Sequence, residues 1–270
     1  MDIGISTASF FGRLNTEDAL QEIGRLGVRT CEVFLGSHSE YTEDFAKLLA
    51  DIAGKYGVRI SSVHSLSTQF EPQLFSINDR QAADARVFLK RIFKAAEIMG
   101  AGMYVHHGPT MLKRVSKRPL DYKWLAKRAS MLADMAADYG VKFTWENVQW
   151  CLYGFPGFAR ELNSCLSTKN LYYTLDLKQA ARSGYNISEY VKDMGERMVN
   201  LHICDYVCGK EGADSKMPGE GQCDFNLLKR ELDAVGYNGP AILEVYIQDY
   251  NDSSDLLYGV DFLNSVFNKD

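Results

Sequence analysis

About eight times along the chain, a short apolar run gives way to a polar turn and then to a stretch whose apolar residues recur at helical spacing. Alternation of this kind builds a parallel sheet, because each helix carries the chain back to begin the next strand in the same direction. Eight such units close that sheet into a cylinder. The runs are Ile3 to Thr7, Arg29 to Leu35, Val58 to Val63, Met103 to Val105, Val141 to Trp145, Leu171 to Leu175, Met198 to Ile203 and Ala241 to Leu243. The pattern predicts an α/β fold, a single (β/α)8 TIM barrel with a closed parallel sheet and outer helices, as one domain over 1–270. No linker or low-complexity segment divides it. An open doubly wound sheet would call for a Gly-rich first turn, and Thr7-Ala-Ser-Phe-Phe-Gly12 is not one.

The helical stretches carry recognisable ends. Asn15 or Thr16 caps the first, which turns Ala19, Leu20, Ile23 and Leu26 to one face. The second runs from about Tyr41 to Lys55, with Phe45, Leu48, Leu49 and Ile52 inward. Asp79 starts a helix ending at Gly100, and another ends near Tyr139. Pro156 and Gly157 open the next, and a helical stretch from about Ser188 to Arg197 precedes the seventh strand. Asp224 caps a helix to Val235, and the last spans Asp252 to Phe267. Ser65 to Asn78 and the segment after Tyr206 read as loops.

Composition narrows the class. With 46% hydrophobic and 24% charged residues, the chain matches an ordinary globular protein. A net charge of −5 disfavours a nucleic-acid partner, which requires phosphate neutralisation. The six scattered cysteines read as reduced thiols of a cytoplasmic protein. No signal-peptide pattern opens the chain, and no apolar run reaches the length of a membrane span.

Six of the runs lead into a residue able to ligate a metal: His64, His106, Glu146, Asp176, His202 and Glu244. A lone carboxylate at a strand end is usually a helix cap. Six at the same point of the cycle converge, because all strands of a closed parallel barrel end at one face. Two glutamates, an aspartate and a histidine form a hard donor set suited to one divalent ion, Mn²⁺, Mg²⁺, Co²⁺ or Zn²⁺. Without a cation, so many carboxylates would repel one another.

The chain resembles the xylose-isomerase-like TIM barrels, sugar isomerases and epimerases related to endonuclease-four-type AP endonucleases. The resemblance covers essentially the whole length. It is carried by Val63-His64-Ser65, His106-His107-Gly108, Trp145-Glu146-Asn147, Leu175-Asp176-Leu177, Leu201-His202-Ile203-Cys204-Asp205, Pro218-Gly-Glu-Gly221 with Asp224-Phe225, and Leu243-Glu244-Val245. It implies an enzyme of carbohydrate metabolism in which Glu146, Asp176, His202 and Glu244 hold the metal. Glu146 and Glu244 would also exchange protons with a ketose, ketose phosphate or related polyol ketone through an enediolate. His64 and His106, with Gln179 and Lys178, would contact substrate or a second metal. Asp205 would orient His202 or the following loop from behind. A metal-dependent dehydratase of the inosose or dehydroshikimate type is the alternative. Below it rank an AP endonuclease and a non-catalytic sugar-binding barrel. Gln179 stands where a histidine is expected, and Asp214-Ser215-Lys216 lacks the histidine of an Asp-x-His pair, so a three-zinc nuclease site is two imidazoles short. The partners implied are a small sugar-like molecule and a homo-oligomeric copy, not nucleic acid or membrane.

Other features have plainer readings. Lys113, Arg114, Lys117, Arg118, Lys123, Lys127 and Arg128 face only Asp121 in charge, and read first as a solvated helix start, second as an anion-binding patch. Phe10, Phe11, Phe70, Trp150, Tyr153 and Phe155 suit either a pocket wall or packing beneath loops. Lys178 reads as solvent-facing, and Glu32 as a structural glutamate inside the barrel.

Overall fold

The computed structural model describes residues 1–111, 120–209 and 212–269. The apolar runs become strands β1 (Ile3–Ser6), β2 (Thr30–Leu35), β3 (Arg59–Ser65), β4 (Met103–His106), β5 (Lys142–Glu146), β6 (Leu171–Asp176) and β7 (Met198–Ile203). A hairpin of β8 (Asp205–Gly209) and β9 (Gly212–Lys216) follows, and then β10 (Ala241–Leu243). Eight of them close in the order β1-β10-β7-β6-β5-β4-β3-β2, every neighbour parallel. The protein is therefore a single (β/α)8 barrel. The helices are α1 (Thr16–Arg25), α2 (Glu43–Tyr56), α3 (Glu71–Leu74), α4 (Asp79–Met99), α5 (Tyr122–Ala137), α6 (Phe158–Asn163), α7 (Leu177–Ser183), α8 (Ile187–Met194), α9 (Phe225–Ala234) and α10 (Ser253–Phe267).

Alternation along each strand sorts the side chains. One set faces the helices and makes an apolar core, including Tyr104, Phe143, Trp145, Leu175 and Leu201. The other faces the barrel axis, and near the C-terminal mouth it is polar: Ser6, Glu32, Ser62, Thr144, Thr174 and Asn200 are all fully buried. These groups pair with one another, as buried polar atoms must. Ser62 Oγ donates to Glu32 Oε2 at 2.7 Å, and Thr174 Oγ1 to Thr144 Oγ1 at 2.8 Å. Glycine closes the ladder where a helix must stop: Gly57 ends α2 with φ +65°, a conformation open to it for want of a Cβ.

Several elements differ from expectation. Of the residues expected inward on α2, Leu49 is buried and Phe45 and Ile52 pack half-buried against the core, but Leu48 is exposed, and Ala46 and Ala53 are buried beside Leu49. The loop after β3 contains α3. The segment after β7, read as a loop, forms the β8–β9 hairpin. The chain after Asp176 turns at once into α7, because Asp176 Oδ1 accepts the Gln179 backbone N–H at 2.7 Å and caps the helix. Lys113, Arg114, Lys117 and Arg118 lie outside the described residues. Lys123, Lys127 and Arg128 lie on α5, where Arg128 pairs with Asp79 at 3.0 Å. Among the described residues no helix is long and apolar enough to cross a membrane.

Candidate metal centre and active site

Register places the ligating side chains. β6 and β7 pair Asp176 with His202, β5 and β6 pair Glu146 with Thr174, and β7 and β10 pair His202 with Ile242. Glu244 lies two residues beyond Ile242, on the same side of the strand line. Four adjacent strands thus bring four donors to one spot at the mouth. His202 Nδ1 lies 3.4 Å from Glu244 Oε2, 3.5 Å from Glu146 Oε1 and 3.9 Å from Asp176 Oδ2. These separations suit atoms sharing one ion about 2.0–2.2 Å from each. His202 Nδ1 and Glu244 Oε2 are buried and make no hydrogen bond among the described residues, so the donors fit a divalent cation.

The imidazole is aimed from behind. His202 Nε2 donates to Glu32 Oε2 at 3.0 Å, which leaves the Nδ1 lone pair facing the cluster. Glu32 is fully buried and also accepts from Ser6 Oγ at 3.3 Å. Asp205, expected to orient His202 or its loop, takes the second part alone. Its carboxylate accepts the backbone N–H groups of Tyr206, Gly219, Gly221 and Cys223 at 2.8–3.1 Å and pins the loop after the hairpin.

Protonation reflects the crowding. Burial drives the Asp176 carboxyl up, the Lys178 ammonium opposes it, and Glu146 and Glu244 add repulsion; the net effect pushes it up to about 7. Burial alone would lower His202, but Glu32, Glu244 and Glu146 outweigh it and hold the imidazole well above its ordinary value. Burial would raise Glu146, yet His107 and His202 hold it well below the carboxylate range. In the absence of a cation, Asp176 and His202 hold on to protons that balance the charge of their neighbours, and Glu146 stays ionised.

His106 does not belong to this cluster. It ends β4 paired with Trp145, and like Trp145 it points outward. It is fully buried among the Phe75, Phe143 and Trp145 rings, with Glu71 Oε2 3.0 Å from Nδ1. The next residue, His107, faces the axis. Its Nε2 lies 3.0 Å from Glu146 Oε2, out of line for a hydrogen bond, and its ring centroid lies 4.5 Å from that of His64. Strict alternation from Val105 would have selected His107. Glu71 holds it in place by accepting the His107 and Gly108 N–H groups at 2.9 and 3.3 Å. Gly108 adopts φ +84°, and a Cβ there would meet Trp145 Nε1 at 2.6 Å.

Lys178, read as solvent-facing, is 1% exposed. Its Nζ lies 3.4 Å from Glu244 Oε1, 3.9 Å from Asp176 Oδ2 and 4.3 Å from the centre of the Tyr246 ring. Gln179 is buried beside it and accepts the Gln149 N–H through Oε1 at 3.2 Å, which leaves its amide donors for the cavity. The cavity has a volume of about 450 Å³. Glu146, Glu244, Lys178 and Gln179 line it together with Phe11, Phe34 and Trp150. Phe10, Phe70 and Tyr153 are instead core residues.

A closed eight-stranded barrel with carboxylates and a histidine clustered at its C-terminal mouth defines the class. The chain belongs to the xylose isomerase-like TIM barrel family, whose model matches residues 20–266. Among its relatives is an uncharacterised protein of Mycobacterium tuberculosis, 26% identical, covering 90% of this chain and 88% of the relative. Similar solved structures include D-psicose 3-epimerase of Clostridium cellulolyticum with D-tagatose, at TM-score 0.80 and 17% identity, covering 99% of both chains. An IOLI protein with a bound zinc atom superposes at TM-score 0.78 and 16% identity over the whole of both chains.

Proposed function

We propose that the protein is a divalent-metal-dependent isomerase or epimerase of a small polyhydroxy ketone. One observation carries this reading: the partnerless His202 Nδ1 ringed by three carboxylates from neighbouring strands, two of them the glutamates needed for proton transfer. Glu146, Asp176, His202 and Glu244 would hold the ion, which when bound supplies Lewis acidity to the substrate's carbonyl and adjacent hydroxyl. One of Glu146 and Glu244 removes the proton from the carbon beside the carbonyl, and the other returns one to the opposite face or the neighbouring carbon. Both lie within 3.5 Å of His202 Nδ1 and so flank one small volume. Lys178 donates to a substrate oxygen and balances Asp176 and Glu244. Gln179 adds neutral donors, and His64 and His107 meet hydroxyls. Phe11, Phe34 and Trp150 exclude water and pack against the C–H face of a sugar.

The experiment is solvent exchange. Ketoses, ketose phosphates and inosose-like rings are incubated in D₂O with Mn²⁺ or Co²⁺, and deuterium at the carbon next to the carbonyl is read by NMR. Exchange should vanish in EDTA and in Glu244→Gln while the circular dichroism stays unchanged. Exchange at the wild-type rate in Glu244→Gln would remove that glutamate from the mechanism. Loss of water from the substrate in place of epimerisation would assign the dehydratase reading.

A further inference from the structure

Arg182 lies one helical turn beyond Lys178 on α7 and lines the same cavity. Its guanidinium is held by neutral groups alone. Nε donates to the Ala213 carbonyl at 2.9 Å, Nη1 to the Tyr246 hydroxyl at 3.2 Å, and Cζ sits 5.6 Å from the centre of the Tyr246 ring. Among the described residues it meets no carboxylate, and Nη2 makes no hydrogen bond. Lys178, by contrast, spends its charge on Glu244 and Asp176.

A half-buried cation without a counter-charge is costly to keep out of water, and one fixed by two hydrogen bonds and a ring is organised in advance of its partner. The guanidinium fork is shaped for carboxylate or phosphate oxygens. The two ends of the cavity therefore differ. Glu146 and Glu244 lie at the barrel mouth, and beside Tyr246 stands a positive charge that meets no carboxylate among the described residues.

We propose that Arg182 anchors a negatively charged terminus of the substrate, so that the ketone accepted here is a sugar acid or a sugar phosphate in preference to a neutral sugar. This rests on the metal-dependent ketone reading above and adds the class of compound. The reacting end lies against Glu146 and Glu244, and the anionic end lies across Tyr246 at Arg182.

The test is calorimetric titration of the Mn²⁺-loaded protein with D-fructose, D-fructose 6-phosphate and D-fructuronate. Wild type should bind at least one of the two anionic probes about tenfold or more tightly than D-fructose, as expected for a charge-assisted bidentate contact. Whichever binds more tightly identifies phosphate or carboxylate as the terminus. In Arg182→Gln the ratio should fall to about one, and in Arg182→Lys, which keeps the charge without the fork, it should fall partway. The lysine variant also serves if the glutamine variant fails to fold. Equal wild-type affinities for neutral and anionic probes would overturn the proposal, as would a ratio that survives in Arg182→Gln. Failure of the underlying reading looks different: no ketone, charged or neutral, would exchange protons with solvent. Exchange without anionic preference would leave the ketone chemistry standing and remove Arg182 from it.

Discussion

Replacing Glu32 with glutamine tests whether the candidate metal centre depends on the carboxylate that holds His202 Nε2. Glu32 is fully buried and holds His202 Nε2 at 3.0 Å, Ser62 Oγ at 2.7 Å and Ser6 Oγ at 3.3 Å. Glutamine has the same shape, so no cavity opens, and its carbonyl can still accept from His202. That carbonyl, in the place of Oε2, also keeps the Ser62 hydroxyl, and the amide, in the place of Oε1, turns toward the Ser6 hydroxyl, which can reverse and accept. What disappears is the negative charge behind the imidazole. Burial works against ionisation of Glu32, but His202 and His64 outweigh it and hold the carboxyl below its ordinary value, so the native partner is anionic. Loss of such a partner weakens metal affinity about 10–100-fold, or about 1.4–2.7 kcal/mol. Competition titration of Mn²⁺ against a chromophoric chelator reads this directly, with circular dichroism confirming the fold. A Glu32→Gln protein that binds Mn²⁺ as tightly as wild type would refute the claim that Glu32 tunes His202.

Two further predictions concern stability. Buried beneath His107, Glu71 would be raised by desolvation, but His106, His107 and the Tyr104 hydroxyl bring it down from 4.5 to about 2. A depressed carboxyl stabilises the fold above pH 4.5 and loses that contribution as pH falls toward 2, at most about 3 kcal/mol at about 1.4 kcal/mol per pH unit. Urea titrations across that range should therefore show a steeper loss in wild type than in Glu71→Gln; parallel curves would contradict it. Gly108→Ala forces a side chain into a left-handed backbone against Trp145, at a cost of about 1–3 kcal/mol, which lowers Tm by several degrees. An unchanged melting curve would show that Trp145 yields freely.

The barrel was legible because its eight apolar runs are short and separated by stretches of helical spacing. Glu146, Asp176, His202 and Glu244 were legible for the same reason, since the C-terminal ends of all strands of a closed parallel sheet meet at one mouth. His106 misled because a strand end was counted without its parity: the register with Trp145 turns it toward the helices, and His107 inherits its place. Lys178 was hidden by α7, whose start depends on a cap supplied by Asp176, a residue first read only as a ligand. Arg182 gave no local signal at all, and Glu32 was legible as a structural glutamate inside the barrel but not as the partner of His202. The partners that define them, Ala213 and Tyr246 for one and His202 for the other, lie far along the chain.

The candidate ligands Glu146, Asp176, His202 and Glu244 all come from β5 onward, whereas Glu32, which pairs with the His202 imidazole, comes from β2 on the other half of the cylinder. An ion held as proposed would therefore be gripped at full strength only once the two half-barrels have mated. Its binding would then latch the finished cylinder, and free metal would stabilise the folded chain against unfolding.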